Sequence, residues 1–183
     1  MCGADVFKED RAWACDLAIE NDMTGLVMDA PGTAENPFHW EPESVSAWME
    51  AIDYLANLQD VDESRIGAFG ISRGGYSVMQ LAGCYNNRVK AVVANAGHPF
   101  GYKMTKDELE NYLVARNKRA EYIYGKKGGP LSFPKWTAED EDKIFKKWAL
   151  SELGILDKIN QPILLINGKH DYISPVGNIY FML

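Results

Sequence analysis

The sequence is short of the residues that carry metals, crosslinks and basic surfaces. Only three of its 183 residues are cysteine, Cys2, Cys15 and Cys84. That odd number, with no paired spacing, provides neither a disulfide framework nor a zinc site, and it reads as reduced thiols in a cytoplasmic setting. Basic residues are outnumbered, 19 Lys and Arg against 26 Asp and Glu, for a net charge of −7 and a pI near 5.0. An acidic surface repels polyanions, so neither nucleic acid nor an anionic membrane is expected as a partner. No apolar run reaches the length of a membrane span, and the first residues lack the basic start and apolar core of a secretory signal. Neither an internal repeat nor a low-complexity tract is found. What remains is 46% hydrophobic and 25% charged, an ordinary globular composition for one domain that handles a small-molecule substrate, with room for a homodimer.

The stretch that organises the chain is Gly70-Ile71-Ser72-Arg73-Gly74-Gly75. It follows residues 65–69, readable as a short buried strand, and precedes residues 75–82, where Val78, Leu81 and Ala82 recur at helical spacing. A G-x-S-x-G turn in that context lifts its serine into a strained conformation at a strand end, with glycines where side chains would collide. Ser72 is the candidate nucleophile. The N–H of Arg73, in the first turn of the following helix, is a donor for a developing oxyanion. The alternative is a glycine-rich turn that merely packs closely.

Upstream, residues 10–19 read as a helix and 26–28 as a strand that ends in Asp29-Ala30-Pro31-Gly32. Asp29 is either functional or a carboxylate capping nearby N–H groups. Residues 43–58 carry Val45, Trp48, Met49, Ile52 and Leu55 on one stripe, the core face of a helix. Residues 89–94 form a β-branched strand ending near His98. The next strand, 163–166, comes after a stretch far longer than a crossover helix needs. Two capping boxes, Thr105 to Glu108 and Thr137 to Asp140, open helices in that stretch, with a loop at 125–130 between them. The segment 99–153 therefore reads as a helical lid or cap inserted into a core made of 1–98 and 154–183, or as decoration with no part in chemistry. Asp171, just past the last strand, is placed to orient a histidine, and Ser72 before Asp171 follows the Ser…Asp…His order of one class of serine hydrolase.

Together these residues resemble the FrsA-like esterases of the α/β-hydrolase superfamily, a group that includes dihydropseudooxynicotine hydrolase and fungal polyketide-shortening hydrolases. The resemblance rests on Cys2-Gly3-Ala4-Asp5 with Lys8-Glu9, on Asp29-Ala30-Pro31-Gly32, on Val61-Asp62 before Arg65-Ile66-Gly67, on the serine turn, and on Asn167-Gly168-Lys169-His170-Asp171. It implies a mostly parallel sheet flanked by helices, with the lid inserted between two late strands. It also implies Ser72 as nucleophile, Asp171 as acid, the N–H groups of Ala4 and Arg73 as oxyanion hole, and Asp5 and His98 facing substrate; a lone loop histidine such as His98 is otherwise simply solvated. No metal or organic cofactor is required. Two departures stand out. Cys2 replaces the first glycine of the family's Gly-Gly-x-Asp, and none of His39, His98 and His170 stands a few tens of residues beyond the acid, where the family keeps its base. The superfamily also places a strand leading to Gly3 between the strand 26–28 and the serine strand. From these we expect an excerpt, incomplete at both ends, of a longer protein.

The functional expectation is a serine hydrolase that cleaves an ester, an amide or an activated C–C bond beside a carbonyl through an acyl-enzyme. A hydrolase-fold acyltransferase shares every residue named, and a non-catalytic hydrolase-fold protein that binds a small molecule or a partner protein is the reading from another class.

Overall fold

The computed structural model describes residues 1–124 and 135–183, so the sequence-predicted loop at 125–130 lies outside the described residues. A 3-10 turn at Glu9–Arg11 leads into α1, Trp13–Ile19, and another at Pro42–Ser44 leads into α2, Val45–Ala56. Then come β1 (Gly67–Ile71), α3 (Arg73–Cys84), β2 (Ala91–Asn95), α4 (Lys106–Tyr124), α5 (Ala138–Trp148), β3 (Ile163–Ile166) and α6 (Gly177–Met182). The three strands form one parallel sheet in the order β1-β2-β3, with Gly67 opposite Ala91 and Val92 opposite Ile163. Parallel neighbours demand crossovers, which α3 supplies between β1 and β2.

α3 is the buried axis of the molecule. Gly74 through Gly83 are all buried, because the helix is covered by the sheet, by α2 through Trp48 and Ile52, and by the segment around Leu150 and Ile155. Full burial of Val78, Met79 and Leu81 contributes about 1.5–3 kcal/mol each. The Tyr76 hydroxyl, inside this core, donates to the Trp148 carbonyl at 2.8 Å. Trp148 in turn stacks on Trp40, 4.5 Å between centroids and 7° from parallel.

Residues 26–28 are not a strand, contrary to the sequence-based expectation. Among the described residues they have no ladder partner, and along the outer side of β1 the Met1 N–H donates to the Phe69 carbonyl at 2.5 Å while the Met1 carbonyl accepts from Ile71 at 3.4 Å. A strand exists only through its pairing. The apolar residues of this region stay open to solvent: Trp13, Leu17, Ile19 and Leu26 are all more than 40% exposed.

α4 and α5 both fall between β2 and β3. Each opens on a reciprocal cap: Thr105 N and Oγ1 donate to Glu108 Oε2 at 2.8 Å, and Thr137 N donates to Asp140 Oδ2 at 2.9 Å while Asp140 N returns to Thr137 Oγ1. Asn117 of α4 holds Trp136 by both its backbone groups, at 2.8 and 3.1 Å, which fixes the lead-in to α5. Phe100, Trp148 and Leu150, within the 99–153 insert, belong to the main core, so cutting the insert out whole removes core side chains.

Candidate active site

Ser72 follows β1 and stands at the N-cap of α3 with φ 58° and ψ −122°, a positive-φ conformation that costs a non-glycine residue on the order of 1–3 kcal/mol. Its N–H is tied to the Asn95 carbonyl at 2.8 Å. The glycines around it answer to backbone, not flexibility. A Cβ on Gly70 would lie 2.0 Å from the Gly74 carbonyl oxygen, and one on Gly74 would lie 2.3 Å from the Met1 oxygen. The N-terminal segment therefore crosses directly over the serine turn, and a Cβ on Gly3 would come within 3.3 Å of Ser72 Cβ. Cys2, where the resembled family has glycine, is fully buried beside it.

Ala4, Asp5, Ser72, Arg73 and His98, five of the six residues singled out from the sequence, line one cavity of about 330 Å³. Asp171 sits behind its wall: Oδ1 accepts from the N–H groups of Ile173 at 2.9 Å and Ser174 at 3.0 Å, and those two residues line the cavity. Ser174 binds the loop after β2 through both of its hydroxyl roles, accepting from Gly97 N at 2.8 Å and donating to Gly97 O at 2.7 Å.

His98 is not a solvated loop histidine. Its side chain is 8% exposed, and both ring nitrogens are committed. Asn178 Oδ1 accepts from Phe100 N at 3.0 Å, which leaves the amide nitrogen of Asn178 facing His98 Nδ1 at 3.2 Å. Nδ1 is then the acceptor, and Nε2–H donates to Glu141 Oε1 at 2.7 Å. Burial pushes the Glu141 carboxyl up, but hydrogen bonds from His98, Tyr112 and Trp136 outweigh it, and the pKa ends below the usual glutamate value. His39 and His170 are exposed. Among the described residues no histidine hydrogen-bonds Ser72 or Asp171.

Asp29 is an internal tie. Buried to 3% exposure, it accepts from Lys8 N at 2.8 Å and Lys8 Nζ at 3.0 Å. Burial raises its pKa, and the Lys8 hydrogen bonds more than reverse this, so it stays below the usual aspartate value. Asp5 is ion-paired to Arg119. The Arg73 guanidinium lies 4.7 Å over Trp40 and donates to Thr33 Oγ1. Sequence reasoning missed Tyr112, Arg116, Arg119, Trp136, Glu141 and Asn178. Glu141 carried no signal, since it stands in the run Glu139-Asp140-Glu141-Asp142, which reads as a solvated helix start.

A parallel sheet whose first strand delivers a strained serine to a helix N-terminus has the layout of an α/β-hydrolase. Solved structures agree on the fold. That of 2,6-dihydroxy-pseudo-oxynicotine hydrolase superposes with a TM-score of 0.68 at 20% identity, over 98% of this chain and 47% of that one. The Paleococcus ferrophilus monoacylglycerol lipase gives 0.64 at 18% identity, over 100% and 76%. Residues 35–182 match the prolyl oligopeptidase family, and the chain belongs to that family. It is 30% identical over 130 residues to dipeptidyl-peptidase 5 of Porphyromonas gingivalis and 28% identical to that of Porphyromonas endodontalis, in each case over 71% of this chain. The chain spans 17% of the length of these two relatives. The α/β-hydrolase superfamily expected from the motifs is thus the one found.

Proposed function

We propose that this chain carries the nucleophile half of a serine hydrolase that works through an acyl-enzyme. The observation that supports this best is Ser72 itself, held in a strained conformation at the wall of a cavity and backed by a helix N-terminus. In this reading Ser72 Oγ attacks a carbonyl carbon while a histidine base takes its proton. The N–H groups of Ala4 and Arg73 stabilise the oxyanion, and the leaving group departs with the proton returned by the base. Water, activated by the same base, then frees the acid. Asp171 positions the histidine, and Asp5 and His98 contact the substrate. The scissile bond is an ester, an amide or an activated C–C bond beside a carbonyl. The relatives named dipeptidyl-peptidase point to the amide, and the neighbour named a monoacylglycerol lipase keeps the ester open.

One observation favours a second reading, a hydrolase-fold binding protein: both nitrogens of His98 are already engaged, so no described histidine serves Ser72. Fluorophosphonate labelling of the protein at its natural full length separates the two. The hydrolase reading expects rapid covalent labelling that Ser72→Ala abolishes. Equal labelling of wild type and variant removes Ser72 from the chemistry.

A further inference from the structure

The chain is acidic overall, at −7, yet the charges lining its serine cavity are mainly positive: Arg73, Arg116 and Arg119 against the carboxylate of Asp5. Asp5 is spent on Arg119. Arg116 is held differently. Its guanidinium lies 3.9 Å over the Trp136 ring and donates to the Tyr112 hydroxyl at 3.2 Å, and it forms no ion pair among the described residues. Two acids stand nearby without an ion pair to it: Glu141 accepts from His98, the Trp136 indole N–H and the Tyr112 hydroxyl, and Asp140, which takes the Thr137 cap, feels the Arg116 charge.

Stacking on an aromatic face and donating to a phenol both hold a guanidinium still, and neither cancels its charge. The platform is itself fixed. Trp136 is bound by Asn117 at both backbone groups and by Glu141 at its indole, and Tyr112 lies one turn before Arg116 on the same face of α4. A guanidinium held still on the wall of the serine cavity, with no ion pair of its own among the described residues, suits a planar anion, since its paired N–H groups match a carboxylate. A cavity of about 330 Å³ is at the small end of the roughly 300–1,000 Å³ range of ligand pockets, which calls for a short acyl chain.

We propose that Arg116 determines specificity for short acyl substrates that carry a carboxylate beyond the reacting carbonyl, such as half-esters of small dicarboxylic acids. This rests on the serine-hydrolase reading for its chemistry but not for its binding. The test therefore measures binding on the Ser72→Ala background, where no turnover interferes, by tryptophan fluorescence with three probes: monomethyl glutarate, dimethyl glutarate and methyl 5-aminopentanoate.

The expected result is that the anionic ester binds about tenfold or more tightly than the neutral one and that the cationic ester binds more weakly still. Adding Arg116→Gln should erase the anion preference and Arg116→Lys should keep part of it, with unchanged thermal unfolding as the folding control. Equal binding of the three esters overturns the proposal, and this arm needs no Arg116 variant to fold. An anion preference that survives Arg116→Gln overturns it as well. A carboxylate preference in a protein whose Ser72 resists fluorophosphonate keeps the anion subsite and removes the hydrolase reading, so the two fail separately.

Discussion

Replacing Gly70 by alanine tests whether the serine turn is forced by backbone contact. The added Cβ would stand 2.0 Å from the Gly74 carbonyl oxygen, 2.3 Å from its carbon and 2.9 Å from the Gly75 nitrogen. All three are backbone atoms at the start of α3, so no side chain can swing aside. Restoring a tolerable separation moves the first turn of α3 away from β1 by on the order of 1 Å, in a core where overpacking costs about 1–3 kcal/mol and sometimes more. We expect a loss near the top of that range, which in a domain of this size lowers Tm by roughly 2–4 °C per kcal/mol. Two glycines serve as internal standards. Gly154 has φ +61° with nothing within 4 Å of an added Cβ, so Gly154→Ala meets only the left-handed backbone penalty of roughly 1–2 kcal/mol. Gly67 meets nothing nearer than the Ala91 oxygen at 3.4 Å, and Gly67→Ala should be close to neutral or stabilising. Urea unfolding of the three variants should rank Gly70→Ala below Gly154→Ala below Gly67→Ala. A Gly70→Ala protein as stable as Gly154→Ala would refute the claim that carbonyl crowding fixes this glycine.

Two further measurements probe the surroundings. Tyr76→Phe keeps the ring between Trp40 and Trp148 but leaves the buried Trp148 carbonyl without its donor, and should lower stability by about 1–3 kcal/mol in chemical unfolding; no change would mean that this bond does not tie α5 to the core. Asp29 has a folded pKa below its unfolded value, so its contribution is present above about pH 4 and is lost as pH falls through the folded value. Wild type should accordingly exceed Asp29→Asn in stability at neutral pH, with the gap narrowing on acidification. A gap that is constant with pH would show that the Lys8 contact acts through packing and not charge.

The features that were legible in the sequence are those that a local rule enforces. The serine turn was readable because Gly70 answers to the Gly74 carbonyl within the same turn, although Gly74 itself answers to the Met1 carbonyl of the crossing N-terminal segment. The strand at 163–166 was read to the residue, bounded by Pro162 and the Asn167-Gly168 turn. The strand expected at 65–69 begins two residues later, since Glu63–Arg65 wind into a 3-10 turn once Asp62 Oδ1 accepts from Ser64 N at 2.9 Å. Residues 26–28 have the composition of a strand but no neighbour to pair with, and pairing is not a local property.

The His98 network was illegible for a different reason. Its members stand at positions 98, 112, 136, 141 and 178, and each has an ordinary surface reading alone: a loop histidine, an acid in a helix start, an asparagine near a helix. Only burial turns them into a system, because a nearly buried polar group must find partners in the protein itself. Here the partners cross elements. Asn178 from α6 fixes His98 and Phe100, Ser174 fixes Gly97 from both sides, and Asp171 fixes Ser174 by its N–H. Glu141 then binds the same histidine from α5. The Asp171 loop, the loop after β2 and the inserted helix are thereby locked to one another, and the His98 and Ser174 positions at the cavity wall depend on Asn178, Glu141 and Asp171, which lie outside it. A substitution at Asn178, which does not itself line the cavity, should therefore loosen His98 and, through Gly97 and Ser174, the loop that presents Asp171.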